Sequence, residues 1–588
     1  MQKILKNESA PLEDRQKAGQ ILSRIHDLVY ENTDKAREII EYSIDLDAND
    51  AESFKQLVEV ERNAGRFEEA RNVAAKMRNA AKTRRDVHLA LRAYAETALA
   101  EALTSLSPGA SLPYPFRLND NVITEALAGL DTVLSEDLSH YDLLIAQFKL
   151  AVLAGKGEIA MQSWARYFDA HNEGEYGCKR IQEAYESLAK ALRDWSAETS
   201  NFAAREKLAL ALADGWVFDL AAAYAKTLPD AQVKNKPRIE ELIAYDGFLG
   251  ELKAVSEDYY RESVLAGESH KTDQYRAALN DKMQAVWKRL AWDTPPGTYS
   301  RSKLLGELER RFGTIIRQGW ANSWYGLLCG HLVIDGDMEV EQYSKKGRLK
   351  FKSVDVLAVK SLRDWYFGRL GSIGGWASNQ TVYEVRASTV KIPFEAWNFA
   401  TDPEVREELE KEIAKLSPQD EKTAAQNLVS APRGFAKKLI RKVTSEFLEP
   451  LEERVLQGDE LRDAYISEFA RVGFESGIIA HEGRHAIDYR ISSSFSSHEL
   501  EYRAKLSEIA FSSHPFLPLA NMFSYGVNDT PHGKANRKLI KGLIEWMGEN
   551  KDQIAGLDSG RPLVLQLDLL TNDQLREAAR SLDPLSVP

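Results

Sequence analysis

Hydrophobic periodicity switches part-way along this chain, and that switch constrains what its two halves can become. From Pro11 to about Ala291, apolar residues recur at three- and four-residue spacings with few β-branched runs, which is the spacing of a buried stripe on an α-helix. After Gly326 the period drops to two. The segment GHLVIDGDMEVEQYSKKGRLKFKSVDV holds three alternating runs, separated by the turn signals Asp335-Gly336-Asp337 and Lys345-Lys346-Gly347, and predicts a three-strand meander. A helix is predicted next in VLAVKSLRDWYFGRL, then the glycine-rich GSIGGWASN, then another strand in TVYEVRAS. From Asp402-Pro403 helices return, beginning with PEVREELEKEIAKLS. The expected fold is multidomain, with an all-α half over residues 1–295 and an α+β domain over residues 300–588. The boundary falls at WDTPPGTYS, around Pro295 to Gly297, and SLSPGASLPYPF, around Pro108 to Phe116, reads as an inserted loop.

Within the helical half, AESFKQLVEVERNAGRFEEARNVAAKM places Phe54, Leu57, Gly65, Phe67 and Ala70 at the spacings of a helix pair. Phe54 and Leu57 share a face, Gly65 permits a tight turn, and Ala70 lets the second helix approach closely. YDLLIAQFKLAVLAGKGEIAMQSWARYF repeats the pattern with Gly155 and Ala160. REKLALALADGWVFDLAAAYA keeps Gly215 but has Leu220 where the alanine would stand. These segments resemble tetratricopeptide repeats. The resemblance implies an irregular helical solenoid able to hold a protein partner, while a plain bundle of helical hairpins fits the same spacings.

Composition narrows the chemistry. Two cysteines, Cys178 and Cys329, in 588 residues exclude a disulfide scaffold and any tetrathiolate metal site. A net charge of -12 argues against nucleic-acid binding. KKGRLKFK and RGFAKKLIRK read as a hairpin turn and a solvated helical face. No apolar run is long enough for a membrane span and no secretory leader is legible, so the expectation is a cytoplasmic protein.

Only 11 histidines occur, yet two stand one helical turn apart in FESGIIAHEGRHAIDYR. On a helix His481 and His485 project from one face, and both imidazoles can meet one metal ion at about 2.0–2.1 Å. Glu482 points to the side, where it can take a proton from a water that zinc has made acidic. Gly477, Ile478, Ile479 and Ala480 are expected to form a buried approach, with Ala486 and Ile487 continuing the apolar face. The competing reading is a helix with two hydrogen-bonded histidines and no metal.

Zinc needs a third protein ligand. A metzincin would carry glycine and histidine where this chain has Asp488 and Ile491, so that class is excluded. After the serine-rich ISSSFSS, Ser496 and Glu499 are expected to form a capping box opening the helix HELEYRAKLSEIAF, which offers Glu499, Glu501 and Glu508. HExxH followed by a glutamate-bearing helix resembles the gluzincin peptidases, over roughly Ser300 to Asn550. That resemblance implies a zincin-like domain with its sheet at about 326–388 and its active-site helices at about 470–512. It implies Glu501, three residues before Ala504, as third ligand, with Glu508 as ligand or supporting acid. Glu482 would be general base. A histidine or tyrosine stabilising the oxyanion is sought downstream among His514, Tyr525 and His532, with His532 and Tyr525 preferred. TVYEVRAS, with Gly374 and Gly375 nearby, would be the strand edge that receives an extended peptide.

Asp488 reads either as a group orienting a ligand imidazole, paired with Arg484 or Arg490, or as a solvated carboxylate at a helix end. His498 reads as a surface residue. Cys329, with His331 nearby, reads as a buried strand thiol. Deformylases also pair an upstream cysteine with HExxH, but their glycine-cysteine-leucine-serine context is absent. Two functions remain at this level. One is a zinc-dependent peptidase acting on a peptide or protein, without nucleic-acid or membrane partners. The other is a scaffold or adaptor whose zinc site is structural or inactive.

Overall fold

Helical hairpins fill the N-terminal half, as its spacing predicts. The computed structural model describes residues 1–586 except 106–119, 170–178, 199–200, 267–270, 291, 293–296, 322–323, 356–374, 379–380, 386–389, 415–432, 493 and 527–528. The predicted loop SLSPGASLPYPF, the predicted helix VLAVKSLRDWYFGRL, Gly374 and Cys178 lie outside the described residues.

By internal contacts the chain divides into two compact units, Met1–Val333 with Val354–Ile373, and Ile334–Ser353 with Gly374–Pro588. WDTPPGTYS lies within the span of the first unit. In that unit α1 (Ala51–Asn63) and α2 (Phe67–Ala80) turn back at Gly65, whose φ is +73°. Asp50 caps α1, its carboxylate accepting from the Glu52 and Ser53 amides. Phe54, Leu57 and Ala70 enter one core cluster between them. Next come α3 (Arg84–Ser105) and α4 (Asp120–Glu136), which pack together, then α5 (Leu143–Leu153) and α6 (Gly157–Asp169), which turn at Gly155 with φ +68°.

The third hairpin, α7 (Phe202–Asp214) and α8 (Phe218–Lys226), corrects the sequence reading. Gly215 keeps φ -83°, and Trp216 takes the left-handed backbone at +64°. That conformation strains a residue with a side chain, and the buried indole holds it there. The indole lies so close to Gly313 that a Cβ on that glycine would stand 2.7 Å from Trp216 Cζ2.

Five strands form one mixed sheet in the order β1-β2-β3-β5-β4. They are β1 (Thr314–Ala321), β2 (Trp324–Gln342), β3 (Lys345–Asp355), β4 (Gly375–Ser378) and β5 (Thr381–Val385). β1 pairs antiparallel with β2, Thr314 opposite His331, and β4 with β5, Gly375 opposite Glu384. Three expectations change. β1 precedes the predicted start of the sheet. β2 runs straight through Asp335-Gly336-Asp337, so the meander segment holds two strands, joined by a turn at Tyr343-Ser344 with φ of 48° and 61°. TVYEVRAS holds an interior strand, since β5 lies between β3 and β4 and is buried from Val382 to Val385, which leaves β4 as the edge on that side. Cys329 is a buried free thiol, as expected, its pKa pushed up to about 12 by burial.

The second unit is held by a helical core. Phe435, Leu439, Val443 and Phe447 stand at four-residue intervals along α9 (Arg433–Glu453), all buried. They join Tyr465, Phe469 and Val472 of α10 (Gly458–Phe474), and residues of four further helices: α12 (Ser497–Phe511), α13 (Phe516–Tyr525), α14 (Pro531–Glu549) and α15 (Asn572–Leu582). The predicted charged face of α9 is largely engaged with acids, Lys438 on Asp568 at 2.7 Å and Arg441 on Glu410 at 2.8 Å. Among the described residues, no helix is long and apolar enough to cross a membrane.

Candidate metal centre

The motif lies where α10 passes into a π-helical segment, Glu475–Glu482, and then into α11 (Gly483–Ile491). A π turn widens the backbone spiral by one residue and shifts the carbonyls off their usual partners. The side-chain amide of Gln342 donates to Ala480 O at 2.8 Å, and Gln342 Oε1 accepts from Ser507 Oγ at 2.9 Å. The segment is less buried than the sequence suggests: Ala480 is buried, Ile478 and Ile479 are half-buried, and Gly477 is exposed.

The fillers of the motif explain its seat. Gly483 crosses β2 at Val340, where a Cβ would come within 2.5 Å of Val340 Cγ1, so only glycine lets this helix reach the sheet. Arg484 is fully buried. It donates to both oxygens of Asp583 at 2.6 and 2.8 Å, to Asp488 Oδ2 at 3.0 Å and to Ser507 Oγ at 3.2 Å. Asp488 is therefore no solvated carboxylate. It bridges Arg484 and Arg503, the latter at 3.3 Å, while Arg490 reaches Lys346 O.

Three candidate ligands meet. His481 Nε2 lies 3.5 Å from Glu501 Oε2, and His485 Nε2 lies 3.8 Å from Glu501 Oε1. One donor atom from each of the three lies within 4.8 Å of the others. Donors bound at about 2.0–2.1 Å on a tetrahedron stand about 3.3 Å apart, so a small contraction would close this triangle on zinc. Nitrogen and carboxylate oxygen are a donor set that zinc accepts. Glu508 takes the opposite side of His481, hydrogen-bonded to its Nδ1. Both glutamates are thus at the centre, Glu501 facing the two Nε2 atoms and Glu508 standing behind one ring.

Electrostatics separate the two imidazoles. Burial works against charge on His481, but the field and hydrogen bond of Glu508 overcome it and lift its pKa to about 9. At His485 burial, reinforced by His481, holds the pKa at about 3. Burial raises the carboxyl of Glu501 less than the hydrogen bond from His532 and the field of His481 lower it, to about 2. Glu482 is raised by burial, and its Oε2 is buried without a protein hydrogen-bond partner.

The other expected residues fall differently. His532, in the first turn of α14, places Nδ1 2.8 Å from Glu501 Oε2 with its side chain 62% exposed, so it combines a hold on the centre with access from outside. His514 does not join the cluster: its ring stacks on Phe447 at 4.1 Å and faces Glu446. Tyr525 ends α13, and its side chain lies outside the description. His498 is exposed, as read. The expected capping box is not formed: Ser496 Oγ pairs with His498 Nδ1, and Glu499 is drawn to Arg503 and Lys538.

One residue was overlooked. Tyr489 stands one turn beyond His485, half exposed, with its ring centroid 6.4 Å from the imidazole. The four-residue interval His481, His485, Tyr489 was the available signal. Compared with protein-family models, with curated proteins and with solved structures, the chain matches none.

Proposed function

We propose that the chain is a zinc-dependent metallopeptidase of gluzincin type, with His481, His485 and Glu501 holding the ion. The observation that supports this most is the convergence of two imidazole Nε2 atoms on one carboxylate, next to a buried glutamate oxygen with no protein partner. Helices with two merely structural histidines give no reason for that pair of features together. When bound, zinc supplies Lewis acidity, making a water acidic and polarising the scissile carbonyl.

The chain's own residues carry the proton. Glu482 accepts it at the unpartnered Oε2 and passes it to the leaving amine nitrogen, and burial raises its pKa toward the working range of a general base. His532 turns an imidazole toward the developing oxyanion. Glu508 holds the His481 ring by Nδ1 and strengthens Nε2 as a donor. The helical hairpins, read as an irregular solenoid of tetratricopeptide type, present a protein substrate or partner, and the buried free thiol of Cys329 suits a cytoplasmic setting.

The test compares wild type with Glu482→Gln on a broad peptide library, with zinc measured in both. Equal zinc content with hydrolysis only in wild type is expected. Equal hydrolysis by both proteins contradicts the assignment, and zinc bound without hydrolysis in either favours the adaptor reading.

A further inference from the structure

Two imidazoles and two carboxylates also meet in the first unit, at the end of the pair formed by α3 and α4. His88, on the first turns of α3, is 3% exposed, and its Nε2 lies 2.8 Å from Glu136 Oε2. Glu136 is the last residue of α4. Asp137 follows and caps the 3₁₀ turn Leu138–His140, its Oδ1 accepting from the Ser139 amide at 2.8 Å. The cap turns Oδ2 toward His140 Nε2, 3.7 Å away. The two imidazole centroids are 6.1 Å apart, with the rings nearly perpendicular at 83°. One donor atom each from His88, Asp137 and His140 lies within 4.8 Å of the other two.

We propose that His88, Asp137 and His140 bind a divalent transition-metal ion, zinc above all, at a site separate from the HExxH centre, with Glu136 beside His88. The Asp137 carboxylate in the donor group, with Glu136 beside His88, supplies negative charge for a dication. Two nitrogen donors favour zinc over calcium or magnesium, which take oxygen. Arg92, one turn beyond His88, is engaged with Glu96 and Asp142 at 2.8 Å each, so the nearest guanidinium is held by other carboxylates. Because His88 and Glu136 are 48 residues apart, the ion ties the start of α3 to the link between α4 and α5.

The experiment is zinc counting by mass spectrometry on full-length protein. Wild type is expected to hold about two ions, and His481→Ala/His485→Ala about one. Adding His140→Asn to that background is expected to bring the count to none. His140→Asn alone is expected to hold one ion and keep peptide hydrolysis. Cobalt(II) added to His481→Ala/His485→Ala should give visible d–d bands that His140→Asn removes while the far-ultraviolet circular dichroism stays unchanged. No zinc and no cobalt bands in His481→Ala/His485→Ala, or a count that His140→Asn leaves alone, overturns the proposal. The zinc counts and cobalt bands are independent of whether the HExxH centre is catalytic.

Discussion

The two residues inside the motif, Gly483 and Arg484, show how much of the proposed metal site is decided by groups that face away from its candidate ligands. Gly483 sets the depth at which the helix lies on β2. Arg484 ties that helix to Asp583, 99 residues away. A fully buried guanidinium is tolerable only with its partners in place, because one unpaired buried charge costs about 3–5 kcal/mol. Asp583→Ala leaves Arg484 still paired with Asp488 and is expected to lower unfolding stability by about 2–3 kcal/mol in urea titrations, well above the effect of a surface carboxylate. In the proposed site Glu508 acts through His481, to whose Nδ1 it is hydrogen-bonded. Glu508→Gln keeps the shape but weakens the push on the ring, and zinc affinity is expected to fall about 10–100-fold in competition with a chelator. An unchanged affinity would mean that Glu508 merely packs there.

At the scale of elements, strong local rules were legible and tertiary ones were not. The i, i+4 histidines and the glycine turns at Gly65 and Gly155 could be read because neighbours in sequence are neighbours in space. The π segment could not, since one extra residue in a turn leaves the apolar spacing almost unchanged. Of the two predicted turns, Lys345-Lys346-Gly347 adjoins the real one, while Asp335-Gly336-Asp337 is no turn, for a physical reason. Asp335-Gly336-Asp337 carries the better local signal, yet β2 continues through it, with Lys352 3.7 Å from Asp335. Tyr343-Ser344 takes the left-handed turn instead, its tyrosine ring 5.0 Å from Phe511. Ser344 bears a left-handed φ of 61°. Ser344→Gly relieves a conformation that costs a residue with a Cβ about 1–2 kcal/mol. Set against the entropy glycine adds to the unfolded chain, a net gain of about 0.5 kcal/mol is expected in the same urea titration. A loss of stability would show that the turn is not strained.

Across the whole molecule, the change of hydrophobic period separated a helical half from a sheet-bearing one, and among the described residues five strands stand after residue 313. Strand order was beyond reach because pairing partners are set by the packing of whole layers, and β5 proved interior where an edge was expected. The centre itself was half legible. His481, Glu482, His485 and Glu501 came from spacing and resemblance, whereas Arg484–Asp583 and the Gln342 bond to Ala480 join segments far apart in sequence. The most direct measurement on the central claim is an anomalous difference map at the zinc absorption edge, from crystals of zinc-loaded protein. The account predicts a peak about 2.0–2.2 Å from His481 Nε2, His485 Nε2 and a Glu501 oxygen, with Glu508 still on His481 Nδ1. A peak held by Glu508 instead of Glu501, or no peak beside the two histidines, would contradict it.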